Sequence, residues 1–373
     1  MAMRLFKRRT NKPPTAGPED RDVAEKKRRF NFSGSKILRD VWEWFKETWP
    51  DHFLLIEAAL TTFAIYRAPP VARRTFQINY FNGVPIPPAG FDHQYRPYIL
   101  NSFVSGAIAL AAPILVFILM QIRVRSLRDL GNAIFGVQFS LATSALMHVV
   151  IASVVGGLRP NFYDVCKPKG KEEHGEGWEM EVLDRDACTG EDRMVDYAFS
   201  SFPSGHSTAA FAGFVFLFLY LNAKFKTFSN YRPPYWALVA TWAPILAAIV
   251  IAGQCIVDHS HHWYDVLAGA FLGTLMAFSA YRMVYASIWD FRFNHIPLAR
   301  FAPFQYDTES DSVKYDNLGK AMWTKDAGWG SKTERPWDGA PYDRAGADSR
   351  RGHSGHEHEA PSQVPVPDAG HMA

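Results

Sequence analysis

Apolar runs long enough to cross a bilayer constrain this 373-residue chain more than any other feature. A spanning helix needs about 20 predominantly apolar residues, with every backbone polar group satisfied internally. Runs of this kind predict helices near 52–68, 102–122, 132–155, 206–223, 235–256 and 265–287. The expected fold class is therefore all-α, an integral membrane protein with about six transmembrane helices. Mean hydropathy stays near zero because polar ends dilute the apolar centre. Residues 1–48 read as a basic cytoplasmic tail ending in an interfacial helix over 37–50, and residues 49–290 as the spanning domain. Residues 291–373 read as a polar, largely disordered cytoplasmic tail. The run at 52–68 carries Glu57 and opens on Asp51 and His52, so a long interfacial helix is its alternative. Residues 69–97 hold six prolines and are expected to be extended and turn-rich.

Charge sets the expected orientation. Residues 1–40 carry twelve Lys or Arg against five Asp or Glu, and the short connections hold Arg123, Arg125, Arg128, Lys224, Lys226 and Arg232. Positive flanks stay on the cytoplasmic side. The connection 257–264 has no Lys or Arg, and the loop 160–202 is rich in acids, so both belong on the lumenal or extracellular side. Arg67, Arg73, Arg74 and Arg96 in the first outer loop run against this pattern. The basic head is read as facing anionic lipid, with no nucleic-acid partner. Cys166 and Cys188 lie in the outer loop, where an oxidising compartment would permit a disulfide. Spacing alone leaves that pairing open.

Three polar clusters interrupt the apolar pattern at one membrane face. Pro203-Ser204-Gly205-His206 precedes one span, and His261-His262-Trp263-Tyr264-Asp265 follows the next. Two crossings return the chain to the side it left, so His206 and His261 face the same compartment. Leu158-Arg159-Pro160 ends the preceding run and joins them. Phosphoryl transfer needs a nucleophile in line with the leaving oxygen, a proton donor for that oxygen, and N–H groups or positive charge around the phosphate. His261 suits the nucleophile, with Asp265 at i+4 to hold one ring nitrogen protonated. His206 suits the general acid, Arg159 offers a planar fork, and the Ser204–His206 backbone at a helix start offers N–H groups. Singly, Pro-Ser-Gly before a helix reads as a cap and a histidine at a span end as an interfacial residue. Their convergence favours a functional site.

These clusters resemble the three signature motifs of type 2 phosphatidic acid phosphatases, in the lipid phosphate phosphatase and haloperoxidase superfamily. The family pattern is K-x6-R-P, then P-S-G-H, then S-R-x5-H-x3-D, and the resemblance spans roughly residues 50–290. It implies that Arg159 binds phosphate with the turn at Ser204 and Gly205, that His206 is the general acid, that His261 becomes phosphorylated and that Asp265 orients it. It also implies a lipid phosphate substrate, a bilayer setting, and chemistry with no cofactor and no metal.

The chain departs from the pattern at two cationic positions. Ala152 stands at the lysine, and Gln254-Cys255 at the serine-arginine pair. One preorganised donor is worth about 10²- to 10³-fold in rate, so a catalytically weak or inactive homologue that binds lipid phosphates or partner proteins is the competing function. His148, His259 and His262 are candidates to restore part of the missing charge. A third reading takes Asp258, His259, His261, His262 and Asp265 as metal ligands. His353, His356, His358 and His371 of the tail lack the rigid frame a metal site needs.

Overall fold

The computed structural model describes residues 34–68, 74–124, 126–170, 175–229, 232–300 and Phe304. The basic head before Gly34, Arg73, and the C-terminal tail with its histidines lie outside the described residues. The chain divides into two units, Met1–Leu54 and Leu55–Ala373. Helix α1 runs Gly34–Arg67 with Pro50 inside it. In its N-terminal part Trp42 stacks on Phe45, Lys46 lies over the Trp42 ring, and the His52 ring packs on Trp44 and Phe45.

In the second unit, strands β1 (Phe76–Phe81) and β2 (Val84–Ile86) are followed by helices α2 (Ser102–Val124), α3 (Leu127–Val154) and α4 (Phe162–Cys166). Strand β3 (Trp178–Leu183) and helices α5 (Asp192–Ala198), α6 (Gly205–Phe225), α7 (Tyr235–Val257) and α8 (Trp263–Val284) complete it. Among the described residues five helices, α2, α3, α6, α7 and α8, are long and apolar enough to span a membrane. They match five of the six expected runs to within a few residues. The sixth, 52–68, forms the end of α1 and does not meet that measure, so the count of six is not reached here.

Helix α6 is the hub of the bundle. Its apolar window is 89% buried, against at most 33% for the other four, because α2, α3, α7 and α8 all pack on it. Those four turn residues such as Phe103, Val154, Leu246 and Phe271 outward, as lipid-facing helices do. Small residues allow the closest approach. A Cβ at Gly273 of α8 would lie against Thr208 O and Ala212 N of α6, and one at Gly269 against Ser204 O and Ser207 Cβ. Tight packing of this kind is a main driver of helix association where lipid tails are as apolar as side chains.

The opposite end of α6 is pinned by a buried polar knot. Lys224 pairs with Asp129 of α3, whose carboxylate also accepts from the hydroxyls of Tyr220 and Tyr285. Lys226 donates to Phe291 O and to Asn294, and contacts His295 Nδ1 at 2.7 Å. Residues 291–298, expected within the polar tail, are thereby packed under the bundle, with Phe293 and Ile296 buried alongside Ala286.

The all-α expectation misses a three-stranded antiparallel sheet of order β2-β1-β3. Asn82 and Gly83 both take positive φ, which closes the β1-β2 hairpin in a two-residue turn matched to strand twist. Pro85 lies within β2, opposite Tyr80, and Pro87 and Pro88 follow the end of that strand, where an extended loop was expected. The register Ile78↔Glu181 brings β3 from the 160–202 loop onto β1. Phe76, Ile78 and Tyr80 then bury against Phe162, Tyr163, Val195 and Phe199. A Cys166–Cys188 disulfide closes this outer core.

Gly273→Val is expected to lower the midpoint of thermal unfolding in detergent, because overpacking against backbone costs about 1–3 kcal/mol. Gly106→Ala, where a Cβ meets nothing within 4 Å, is the control. Equal midpoints for the two would remove the helix contact as the organising feature.

Candidate active site

The outer core delivers the first cluster by backbone pairing. Arg159 N–H donates to Ala198 O, Gly157 N–H to Phe199 O, and Ser201 N–H to Gly157 O, so 156–159 runs beside 198–202. Helix α6 delivers the second cluster. Ser204 is its N-cap, with the hydroxyl accepting from Ser207 N at 3.5 Å. The third cluster follows from α7, where Cys255 O accepts the N–H of both Ser260 and His261.

The three clusters meet. The His206 and His261 ring centroids are 6.4 Å apart, and Arg159 Nη1 is 3.3 Å from His261 Nε2. A guanidinium only donates, so His261 Nε2 carries the lone pair and the ring proton sits on Nδ1. That nitrogen faces Asp265 Oδ2 at 3.8 Å, an ion-pair separation longer than a hydrogen bond. The expected i, i+4 helical pair is corrected here: His261 precedes α8, and Asp265 sits at its third position. There Oδ2 reaches back to the N-cap His262 N–H at 3.0 Å, in the manner of a capping box. The same oxygen accepts from Ser201 Oγ at 2.5 Å.

His206, His261 and Arg159 are each 3% exposed. The segment 91–102, leading into α2, roofs them. Its Leu100 O lies 3.1 Å and its Ser102 Oγ 3.4 Å from His206 Nε2, and Tyr98 stacks near the His206 ring. His93 N–H donates to Pro160 O, and Phe91 packs edge-on against His262. Arg159 is tied down by Tyr197 O at Nε, Ser260 O at Nη1 and Ser200 O at Nη2, with its guanidinium 3.9 Å over the Tyr197 ring.

The remaining predicted residues fall in distinct places. Ser204 N–H is taken by Asp265 O at 3.0 Å and so is committed to the protein. The His148 ring lies against Gly205, where a Cβ would be 2.9 Å from its Nε2, and its Nδ1 is buried with no partner. His262 caps α8 with Nδ1 at 3.4 Å from Asp265. His259 lies further out, stacked on His93. Cys255 is buried and unpaired as a thiol, and Gln254 Nε2 is buried without a partner. Among the described residues no three His, Cys, Asp or Glu side chains converge as a metal-ligand set. Sequence reading missed Ser201, Tyr197, Tyr98 and the Leu100 carbonyl. Only Ser201, two residues before the Pro-Ser-Gly-His turn, carried a local signal.

Burial, and after it the Arg159 charge, push the His261 imidazole down to about 3 against the pull of Asp265. The folded value is below the ordinary value near 6.5, so this ring supports stability above about pH 6.5. That support is lost as pH falls from there towards about 3, by about 1.4 kcal/mol per pH unit. Wild type is expected to lose unfolding free energy more steeply than His261→Gln between about pH 6.5 and 4. Parallel profiles would mean that the ring is not held neutral.

Comparison with known proteins puts these residues in company. Residues 133–289 match the model of the PAP2 superfamily. The chain is similar to lipid phosphate phosphatase 1 of Arabidopsis thaliana, 37% identical over 177 residues, 48% of this chain and 52% of that protein. It is also similar to diacylglycerol pyrophosphate phosphatase 1 of Saccharomyces cerevisiae, 29% identical over 270 residues, 70% of this chain and 84% of that protein. The probable diacylglycerol pyrophosphate phosphatase 1 of Schizosaccharomyces pombe is 30% identical over 156 residues, 41% and 54% of the two chains. The chain spans about half the length of the first curated relatives it matches. No solved structure matches it.

Proposed function

We propose that this chain, whose residues 133–289 match the PAP2 superfamily, is a membrane enzyme of that superfamily removing phosphate from lipid phosphate monoesters. The observation that carries this reading is the His261 Nε2 lone pair, buried 3.3 Å from Arg159 with the His206 ring alongside. Relatives named as lipid phosphate phosphatase and diacylglycerol pyrophosphate phosphatase support the substrate class.

In this reading His261 Nε2 attacks phosphorus as the P–O bond to the lipid alcohol breaks. The leaving oxygen takes the proton from His206 Nε2, where the Leu100 carbonyl now sits. Arg159 turns its Nη1 from Nε2 to the phosphate oxygens, and Asp265 steadies the proton on His261 Nδ1. Water then attacks the phosphohistidine with His206 as base, which releases phosphate and restores both rings. Of the auxiliary histidines, His148 lies against Gly205 and His262 beside Asp265, while His259 stands further out. The competing reading, a homologue that binds without turnover, is favoured by one observation. Arg159 spends its donors on Tyr197, Ser200 and Ser260, and Ala152 and Cys255 bring no cation to relieve it.

Phosphate release from phosphatidic acid in mixed micelles tests the choice. Wild type should turn over, His261→Ala should not, and Ala152→Lys with Cys255→Arg should raise the rate by about 10²-fold or more. Thermal unfolding of the restored protein separates a misfolded variant from one that folds without gain. Wild type no faster than His261→Ala would leave the binding homologue as the better account.

The site is assigned to the lumenal or extracellular side. A cysteine replacing Gly175 should then react with an impermeant maleimide only from that side of sealed vesicles. The native thiols give little background, since Cys255 is buried and the other two are paired. Labelling from the cytosolic side would reverse the orientation.

A further inference from the structure

The buried centre is short of positive charge, and the segment that roofs it is not. Of the cationic side chains at the three motifs only Arg159 is in place, and its guanidinium is already bonded to three carbonyl oxygens. Directly outside, His93 and His259 lie ring on ring, centroids 4.2 Å apart and planes 1° from parallel. Arg96, three residues on from His93 and exposed, reaches the same edge with Nη1 at 3.3 Å from Val257 O. His259 holds φ +55, a conformation that a non-glycine residue adopts at a cost and that recurs at functional sites.

The first outer loop holds arginines that run against the charge asymmetry of the membrane, and their fates differ. Arg74 donates its guanidinium to Phe199 O and, at 3.5 Å, to Ala152 O at the end of α3. It is consumed as a brace between motif segments. Arg67 lies over the Phe63 ring on its own helix. Arg96 makes a single long contact with a carbonyl and keeps its charge at the surface, beside two imidazoles.

We propose that His93, Arg96 and His259 form an outer anion site at the mouth of the buried centre, which takes the phosphate monoester group of an anionic lipid before that group moves inward. The inference rests on the phosphatase-like reading of the centre for its direction, but the binding it asserts does not require turnover. Three carboxylates stand near, and none makes a hydrogen bond to His93, Arg96 or His259: Asp258 is buried with Oδ1 accepting from Ser260 N–H and pulls on the His259 ring only through its charge, Asp164 Oδ2 accepts from Tyr95 N–H at 2.8 Å, and Asp92 is exposed. Burial first, then the His93 and Arg96 charges, hold the His259 imidazole below its ordinary value. A dianion seated between these groups would reverse that field and take charge-assisted hydrogen bonds from all three. Electrostatic capture at the mouth also gives the roof a reason to shift, because His93 and Tyr98 belong to one segment and the latter sits against His206.

Binding to the detergent-solubilised full chain tests the site, in a His261→Ala background so that no probe is consumed. The probes are dioctanoyl phosphatidic acid, dioctanoyl phosphatidylcholine and inorganic phosphate, read by titration calorimetry. Arg96→Gln should weaken phosphatidic acid about tenfold, the scale of one lost charge-assisted bond. His93→Gln with His259→Gln should weaken it similarly, and Arg96→Lys should retain most of the affinity. Phosphatidylcholine should be unaffected by any of them. Inorganic phosphate that binds and weakens in parallel shows that the phosphate group alone is read; phosphate that fails to bind while the lipid responds shows that the lipid headgroup is the ligand. Unchanged phosphatidic acid binding in all variants, or an equal loss for phosphatidylcholine, would overturn the proposal. Absence of phosphate release by the protein with His261 intact would sink the phosphatase reading and leave this comparison standing.

Discussion

Ser204 N–H and Asp265 O are joined by a backbone hydrogen bond of 3.0 Å, and the geometry of the centre is built outward from that link. It forms because α8 can lie almost in contact with α6 at Gly269 and Gly273. The same approach lets Ser207 Oγ reach Val266 O at 2.6 Å. Two helix N-termini are thus fixed side by side, one carrying His206 and the other preceded by His261. Neither ring is on a flexible loop tip. The distance between the two rings is set by helix packing, which resists deformation far more than a loop does.

Much of this was legible in the chain, and the reasons are physical. Spans α2, α3, α6, α7 and α8 announce themselves because lipid demands a continuous apolar helix, and their ends fall within a few residues of the expected ones. The convergence of Arg159, His206 and His261 followed from topology alone, since two crossings restore the same face. What failed was whatever depends on pairing between distant segments. The β1-β3 register joins residues about 100 apart, which no local pattern reports. The hairpin was different: Asn82-Gly83 behind alternating Phe76, Ile78 and Tyr80 is a strong local turn signal, outweighed by the prolines around it. The Asp265 contact was expected for the wrong reason. A spacing of four suggested a helical pair, and the structure reaches proximity through an N-terminal capping arrangement instead.

The electrostatics of the centre are those of a closed state. A guanidinium, two imidazoles and a carboxylate are withdrawn from water together, and most of their polar atoms are engaged: Arg159 by carbonyls, His261 Nε2 by Arg159, His206 Nε2 by Leu100 O, and Asp265 Oδ2 by Ser201 and the His262 N–H, while His261 Nδ1 and Asp265 Oδ1 are left without a hydrogen bond. Pairing His261 Nε2 with Arg159 fixes the tautomer that leaves a lone pair on that nitrogen. It also shields that lone pair. In the proposed reaction the same contact both prepares the nucleophile and occupies it, so a phosphate would compete with the nitrogen for Arg159.

That competition makes the segment 91–102 more than a cover. Leu100 O accepts from the His206 nitrogen that would protonate a leaving group, and Tyr98 lies between the Arg159 shelf at Tyr197 and the His206 ring. In the proposed reaction the roof thus occupies, with its own carbonyl, the position of the leaving oxygen. Displacing it would free the donor and open the path to Arg159 in one movement, because both depend on the same few residues before α2. With one buried arginine to offer, the centre would, in the proposed reaction, gain most from a substrate phosphate that arrives already neutralised in part by groups at the surface. A chain lacking cations at 152 and 255 can thus place positive charge along the path of entry and leave the reaction point nearly neutral. If the proposed reaction holds, such an arrangement trades transition-state stabilisation for capture and entry, and it follows from where the arginines stand rather than from how many there are.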